Sequence, residues 1–260
     1  MILKSKVAII KNCSTEWPAQ GNWNIKDLLK HGDGLTLWKT NFVGSSGIVD
    51  DTEEQGQLRQ GREVLDMLRR NITIRIFDPI AEHEHVKKRR NEEFSSTDKL
   101  DLKKEFSTPS ILGKDLFRAC GQLTDYQWTL LSGPRTGTDL HLDPLFANSW
   151  NTVLYGHKLW VLLPPDVEPS LLQCDPDCSG SNDEVSPLSW FLRVLPQLAG
   201  RQWYGKQVQQ VLQAPGDTIF VSRSAHTVLS LDSSLAVTEN VMTVGSLLEL
   251  PHKLLLGEAL

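Results

Sequence analysis

From Trp128 to Met242 the chain is cut into short apolar runs, namely "WTLLSG", "DLHLD", "NTVLYG", "KLWVLLPP", "QQVLQA", "DTIFVS", "HTVLSLD" and "SLAVTENVM". Turn signals separate them: Gly133 with Pro134, Gly156, Pro164 with Pro165, Pro215 with Gly216, and Asp232 with Ser233. Closely spaced short strands of this kind suggest an antiparallel arrangement. The predicted fold class is therefore mainly β with flanking helices (α+β), built on a sandwich or jelly roll. The stretch 171–206 interrupts the strands, and its "SPLSWFLRVLPQL" is predicted to form a helix packed on the barrel.

Ahead of this region the pattern is mixed. "KVAIIKNC" predicts a first strand, and "STEWPAQGNWNIKDLL" a turn and short helix with Asn24 as cap. "GREVLDMLRRN" is helical, with Val64, Leu65 and Leu68 on one face, and "ITIRIFDP" is a strand. "SILGKDLFRAC" predicts one short amphipathic helix, and the tail "SLLELPHKLLLGEAL" an apolar helix that packs on this chain or on a second copy. The expected organisation is one domain over 1–260: a mixed part to 127, a strand core over 128–245 with a helical insert near 171–206, and a helical tail from 246.

Composition excludes some functions. A net charge of -5 and 23% charged residues offer no overall basic surface to a nucleic-acid backbone, so direct nucleic-acid binding is not expected. Four scattered cysteines and the short apolar run at the N-terminus predict an intracellular protein with reduced thiols, in nucleus or cytoplasm, without a membrane span. Cys174 and Cys178 lack the second pair that a closed zinc site needs. "EHEH", Glu82 to His85, is a rival metal cluster, but it adjoins "KKRR" in a polar segment and is expected to be a solvated loop.

The chemistry concentrates in the strand region. Residues two apart in a strand share a face, so His141 and Asp143 present an imidazole and a carboxylate to one spot, and His226, just beyond the Pro215-Gly216 turn, can meet them across a barrel. Two histidines and a carboxylate on one side of a metal leave positions open, as a non-heme Fe(II) oxygenase requires for cosubstrate and O2. Lys158 is a lone charge in an apolar run, and buried lysines need a partner. The far carboxylate of 2-oxoglutarate would be one, with a hydroxyl from Thr138, an amide from Asn151, and Thr238 and Asn240 completing the pocket. Each residue also has a structural reading: Lys158 snorkelling to the rim, Asn151 satisfying a turn, His226 as a bonded core histidine. Order and spacing together favour the site.

On "SGPRTGTDLHLDPLFANSWNTVLYGHKLWVLLPP" and "APGDTIFVSRSAHTVLSLDSSLAVTEN" the chain resembles the Jumonji C (JmjC) oxygenases, in the branch of the bifunctional arginine demethylase and lysyl-hydroxylase. "FDPIAEHEHVKKRRNEEF", "PSILGKDLF" and "IIKNCSTEWPA" carry the likeness upstream. It implies a double-stranded β-helix jelly roll, iron held by His141, Asp143 and His226, and 2-oxoglutarate held by Lys158 with Thr138, Asn151, Thr238 and Asn240. The implied reaction is hydroxylation of a protein side chain, lysine first. N-methyl demethylation is the alternative by the same chemistry, and a catalytically silent jelly roll that binds a partner is the rival. The implied partner is a protein or peptide substrate, with a homodimer through the C-terminal helix as a further expectation. The chain departs from the branch at "SRSA" and Ser230, where glycine, aromatics and an asparagine are usual. Arg223 is therefore expected at the pocket entrance. The chain is also expected to start at the domain's first strand, without the long polar tails of a nuclear regulator.

Overall fold

A computed structural model describes residues 7–23, 37–42, 57–70, 74–79, 105–119, 127–143, 147–164, 187–198 and 207–246. In chain order the elements are β1 (Ala8–Ile10), α1 (Pro18–Asn22), β2 (Leu37–Phe42), β3 (Gln57–Gln60), α2 (Gly61–Arg69), β4 (Ile74–Pro79), a 3-10 turn (Ser110–Leu112) and α3 (Leu116–Ala119). The strand region follows, with β5 (Gln127–Ser132), β6 (Gly137–His141), β7 (Asn148–Tyr155), β8 (Lys158–Leu162), α4 (Pro187–Arg193), α5 (Leu195–Leu198), β9 (Gln209–Gln213), β10 (Thr218–Ser222), β11 (His226–Ser230) and β12 (Ser234–Val241).

Each strand expected after Trp128 forms, and together they make the two antiparallel sheets of a jelly roll. The larger has the order β1-β10-β7-β12-β5-β4-β2-β3 and the smaller β6-β11-β8-β9. From β5 to β8 and again from β9 to β12 consecutive strands alternate between the sheets, while β8 and β9 pair within the small one. Tight turns make this possible: Gly156, between β7 and β8, sits at φ +77, and a Cβ there would lie 2.3 Å from the Ser233 carbonyl oxygen. A Cβ on Gly137 would lie 1.9 Å from the Val228 carbonyl oxygen, so only glycine lets β6 approach β11.

Alternation divides the core into three layers. Trp160, Leu162, Ile219, Val221 and Val228 pack between the sheets. On the outer side of the large sheet, Trp150, Leu131, Val237 and Ile76 are covered by Trp17, Trp23 and Phe106 from the N-terminal segments and by Val64 and Leu68 of α2. On the outer side of the small sheet, Val161 and Leu229 are covered by Trp190, Phe191, Val194 and Leu198 of the helical insert.

Several expectations change upstream. α1 forms over Pro18–Asn22, with Pro18 in its first turn, where a turn was expected, and the helix expected after Asn24 lies outside the described residues. "SILGKDLFRAC" is not one helix. Gly113 at φ +77 ends the 3-10 turn, and α3 starts afresh with Asp115 accepting the Phe117 and Arg118 amides. β2 and β3 were not anticipated because "LWKTNF" and "QLRQ" carry no clean alternation. The side chain of Leu65, the "EHEH" and "KKRR" segment, Cys174, Cys178 and the apolar tail lie outside the described residues. Among the described residues, no helix is long and apolar enough to cross a membrane.

Candidate metal and cosubstrate site

The space between the sheets holds a set of buried polar residues beside its apolar layer. β11 pairs with β6 on one side and β8 on the other, and His226 stands opposite both His141 and Leu162. Asp143 lies two residues past the end of β6 rather than within it, because pairing to β11 ends at His141. Its carboxylate nevertheless reaches the histidines: the ligand atoms of His141, Asp143 and His226 all lie within 4.8 Å of one another.

The donor chemistry suits a divalent metal. Nδ1 of His141 donates to the Asp139 carbonyl at 2.7 Å, and Nδ1 of His226 to the Ser224 carbonyl at 2.9 Å. A carbonyl only accepts, so each Nδ1 holds the proton and each Nε2 keeps a lone pair for a metal. Burial, reinforced by His226 across the site, lowers the His141 pKa to about 4, so its ring is neutral near pH 7. Ser149 Oγ donates to Asp143 Oδ2 at 2.6 Å and orients the carboxylate. The His226 ring stacks on Trp160, with centroids 5.6 Å apart, and Trp160 Nε1 donates to Gln213 Oε1 at 2.7 Å. Gln213 in turn donates to the carbonyls of Asn151 and Asp217, which ties β8 of the small sheet to β7 and the β10 turn.

Lys158 stands opposite Ser230, four residues along β11 from His226 and so on the same face. It is 4% exposed, and no hydrogen bond or ion pair engages its ammonium among the described residues. Burial first, then the charge of Arg75, lowers its pKa to about 7. Asn151, on the facing sheet, is 3% exposed and its Oδ1 lacks a hydrogen-bond partner. Among the described residues, a buried layer thus holds an ammonium and an amide oxygen that the fold does not use.

Thr138 shares that face for a reason the sequence hides. Thr138 pairs with Val228 and His141 with His226, so three residues of β6 span two of β11. The bulge shifts the alternation by one and turns Thr138 and His141, an odd number apart, to the same side. Thr238 pairs with Asn151, and Asn240 with Ser149, so both belong to the inner face of the large sheet. The Thr238 hydroxyl donates to the Trp150 carbonyl at 2.7 Å, which leaves it an acceptor. Arg223 is partly buried at φ 54, between β10 and β11, rather than on an open loop.

Four contributors escaped the sequence reading. Ser149 was findable, since it precedes Asn151 by two on β7. Arg75 carries the signal that exposed Lys158, a lone cation in an apolar run. Trp160 and Gln213 carry none, because a tryptophan and a glutamine in strands read as core and edge.

Residues 128–241 match the family model described as "JmjC domain, hydroxylase". They form a JmjC domain. Over 94% of its length the chain is 28% identical to an arginine-specific demethylase, JMJ22, of Arabidopsis thaliana, and covers 43% of that protein. Over 56% it is 31% identical to the bifunctional arginine demethylase and lysyl-hydroxylase psr-1 of Caenorhabditis elegans, covering 37%. Over 46% it is 25% identical to the 2-oxoglutarate and iron-dependent oxygenase JMJD4 of Danio rerio, covering 27%. The chain thus spans less than half the length of these relatives. The matched JmjC segment contains every residue named for the candidate site except Arg75.

Proposed function

We propose that this JmjC domain is an Fe(II)- and 2-oxoglutarate-dependent oxygenase that hydroxylates a protein side chain, with lysine as the leading target. The observation that carries it is Lys158, a buried ammonium without a hydrogen-bond or ion-pair partner among the described residues, set on the same face as three converged metal donors. A silent binding module gains nothing from that arrangement, which costs stability.

In this reading His141, Asp143 and His226 hold the iron through Nε2, a carboxylate oxygen and Nε2. The Asp139 and Ser224 carbonyls fix the ring tautomers, and Ser149 fixes the carboxylate. Lys158 pairs with the far carboxylate of 2-oxoglutarate. Asn151, Thr138, Thr238 and Asn240 supply the remaining polar contacts. With O2, the bound iron and cosubstrate supply the oxidation that turns 2-oxoglutarate into succinate and CO2 and a substrate C–H bond into C–OH. The apolar layer of Trp160, Leu162, Ile219, Val221 and Val228 keeps water from the pocket. Leu142, 51% exposed between two of the donors, marks the side open to a peptide.

Removal of an N-methyl group from arginine or lysine is the second reading, supported by the names of the two relatives that cover most of the chain. It begins with the same hydroxylation, and the hydroxymethyl amine then releases formaldehyde. Succinate formation from 2-oxoglutarate, with lysine peptides and methylarginine peptides compared, tests both. A peptide that gains one oxygen supports hydroxylation, and formaldehyde with loss of a methyl group supports demethylation. A protein that binds iron yet forms no succinate, with or without peptides, refutes the oxygenase.

A further inference from the structure

Arg75 lies on β4, well outside the matched JmjC segment, yet its side chain reaches the pocket. Its neighbour Ile76 is fully buried in the outer core with Trp17 and Trp150, so alternation turns Arg75 to the inner face. From there the guanidinium crosses between the sheets, and Nη1 donates to the Gly137 carbonyl at 3.2 Å. Gly137 immediately precedes Thr138 on β6.

We propose that Arg75 is a second cation of the cosubstrate pocket, which together with Lys158 receives the distal carboxylate of 2-oxoglutarate. This rests on the oxygenase reading and adds to it a residue from the N-terminal part of the chain. A guanidinium carries five donors in a rigid fork, so it can hold Gly137 and a carboxylate at once. Its charge also acts on Lys158, in line with a guanidinium that crosses toward β6. An anion lying between two cations is attracted by both. The pair therefore selects a ligand with a charged far end over one with a neutral far end.

The test is calorimetric binding of two oxo acids to the Mn(II)-loaded full chain, where no turnover competes. The probes are 2-oxoglutarate and 2-oxobutyrate, which has the same chelating end but no distal carboxylate. Arg75→Gln should weaken 2-oxoglutarate by roughly ten- to a hundredfold, as expected for a lost charge-assisted hydrogen bond, and leave the weak binding of 2-oxobutyrate unchanged. Arg75→Lys should restore most of the affinity, and it serves as the informative variant should Arg75→Gln fail to fold. Unaltered 2-oxoglutarate binding in Arg75→Gln, alongside a loss in Lys158→Ala, overturns the role of Arg75 alone. Equal weakening of both oxo acids also overturns it and marks Arg75 as a brace for Gly137. A parent protein that binds Mn(II) but neither acid overturns the oxygenase reading and this inference with it.

Discussion

The outer face of the large sheet and the inner face of the small sheet each bury a charged side chain, and they treat it in opposite ways. On the outer face Glu239, 2% exposed, accepts hydrogen bonds from Thr108 at 2.7 Å and Trp150 at 2.9 Å and pairs with Arg118 at 2.6 Å. Burial still pushes its carboxyl above the ordinary range, but three partners oppose that shift. Across the inner layer, Lys158 has only a like charge, Arg75, acting on it. Similar burial with unequal satisfaction separates a charge held by the fold from one still able to take a partner. Glu239 fastens the 105–119 segment to β12, an attachment extended by Asp115 accepting the Met242 amide. Lys158 fastens nothing among the described residues.

The largest expected effect breaks the inner face at its metal end. His141→Ala should reduce metal affinity and turnover by more than the roughly 10- to 100-fold that follows loss of an outer-sphere partner, with far-ultraviolet circular dichroism unchanged. Retention of stoichiometric Fe(II) would remove the metal assignment.

Lys158→Met sharpens the contrast, because activity and stability should move in opposite directions. The mutant should lose 2-oxoglutarate binding, yet the ligand-free protein should melt at a higher temperature, since a buried cation has been replaced by an apolar side chain of similar length. The depressed pKa, about 7 against 10.5, corresponds to a gain on the order of a few kcal/mol near neutral pH. A lower melting temperature would mean that Lys158 has a structural partner after all.

Glu239→Ala should do the reverse. It removes the acceptor of two hydrogen bonds and an ion pair, and should cost about 2 to 4 kcal/mol in denaturant unfolding with little change in 2-oxoglutarate affinity. Loss of affinity at full stability would erase the distinction between the faces.

Titration gives a subtler version. The unfolded chain holds the Lys158 proton up to about 10.5 and the folded, ligand-free chain only to about 7. The unfolded state therefore binds more protons in that window, and the contribution of Lys158 to stability rises from pH 7 to pH 10. Unfolding curves of parent and Lys158→Met should converge as pH rises. Parallel curves would show that the lysine is charged throughout. The smallest effect is Ser149→Ala, about tenfold in metal affinity through a less constrained Asp143.

Much of the strand region was legible because its signals are local. Alternation and turn residues placed β5 to β12 to within a few residues, and a lone lysine in "KLWVLLPP" announced its own anomaly. The N-terminal part was less legible. "LWKTNF" and "QLRQ" become β2 and β3 by pairing with β4 and with each other, and Gly113 divides what hydrophobic periodicity joined. Arg75 was read as part of a strand, although it was as anomalous in "ITIRIFDP" as Lys158 was in its own run.

The sequence by itself determined the strands, the glycines that allow their turns and close approaches, and the kinds of donor available at His141, Asp143, His226 and Lys158, since backbone propensity and side-chain chemistry travel with the residue. Only the tertiary structure decided which donors meet. The bulge that turns Thr138 inward depends on the register of β6 against β11, the Asp143–Ser149 bond on a chain reversal, and the reach of Arg75 to Gly137 on the packing of two sheets. Register and packing are properties of pairs of segments, and no single segment encodes them.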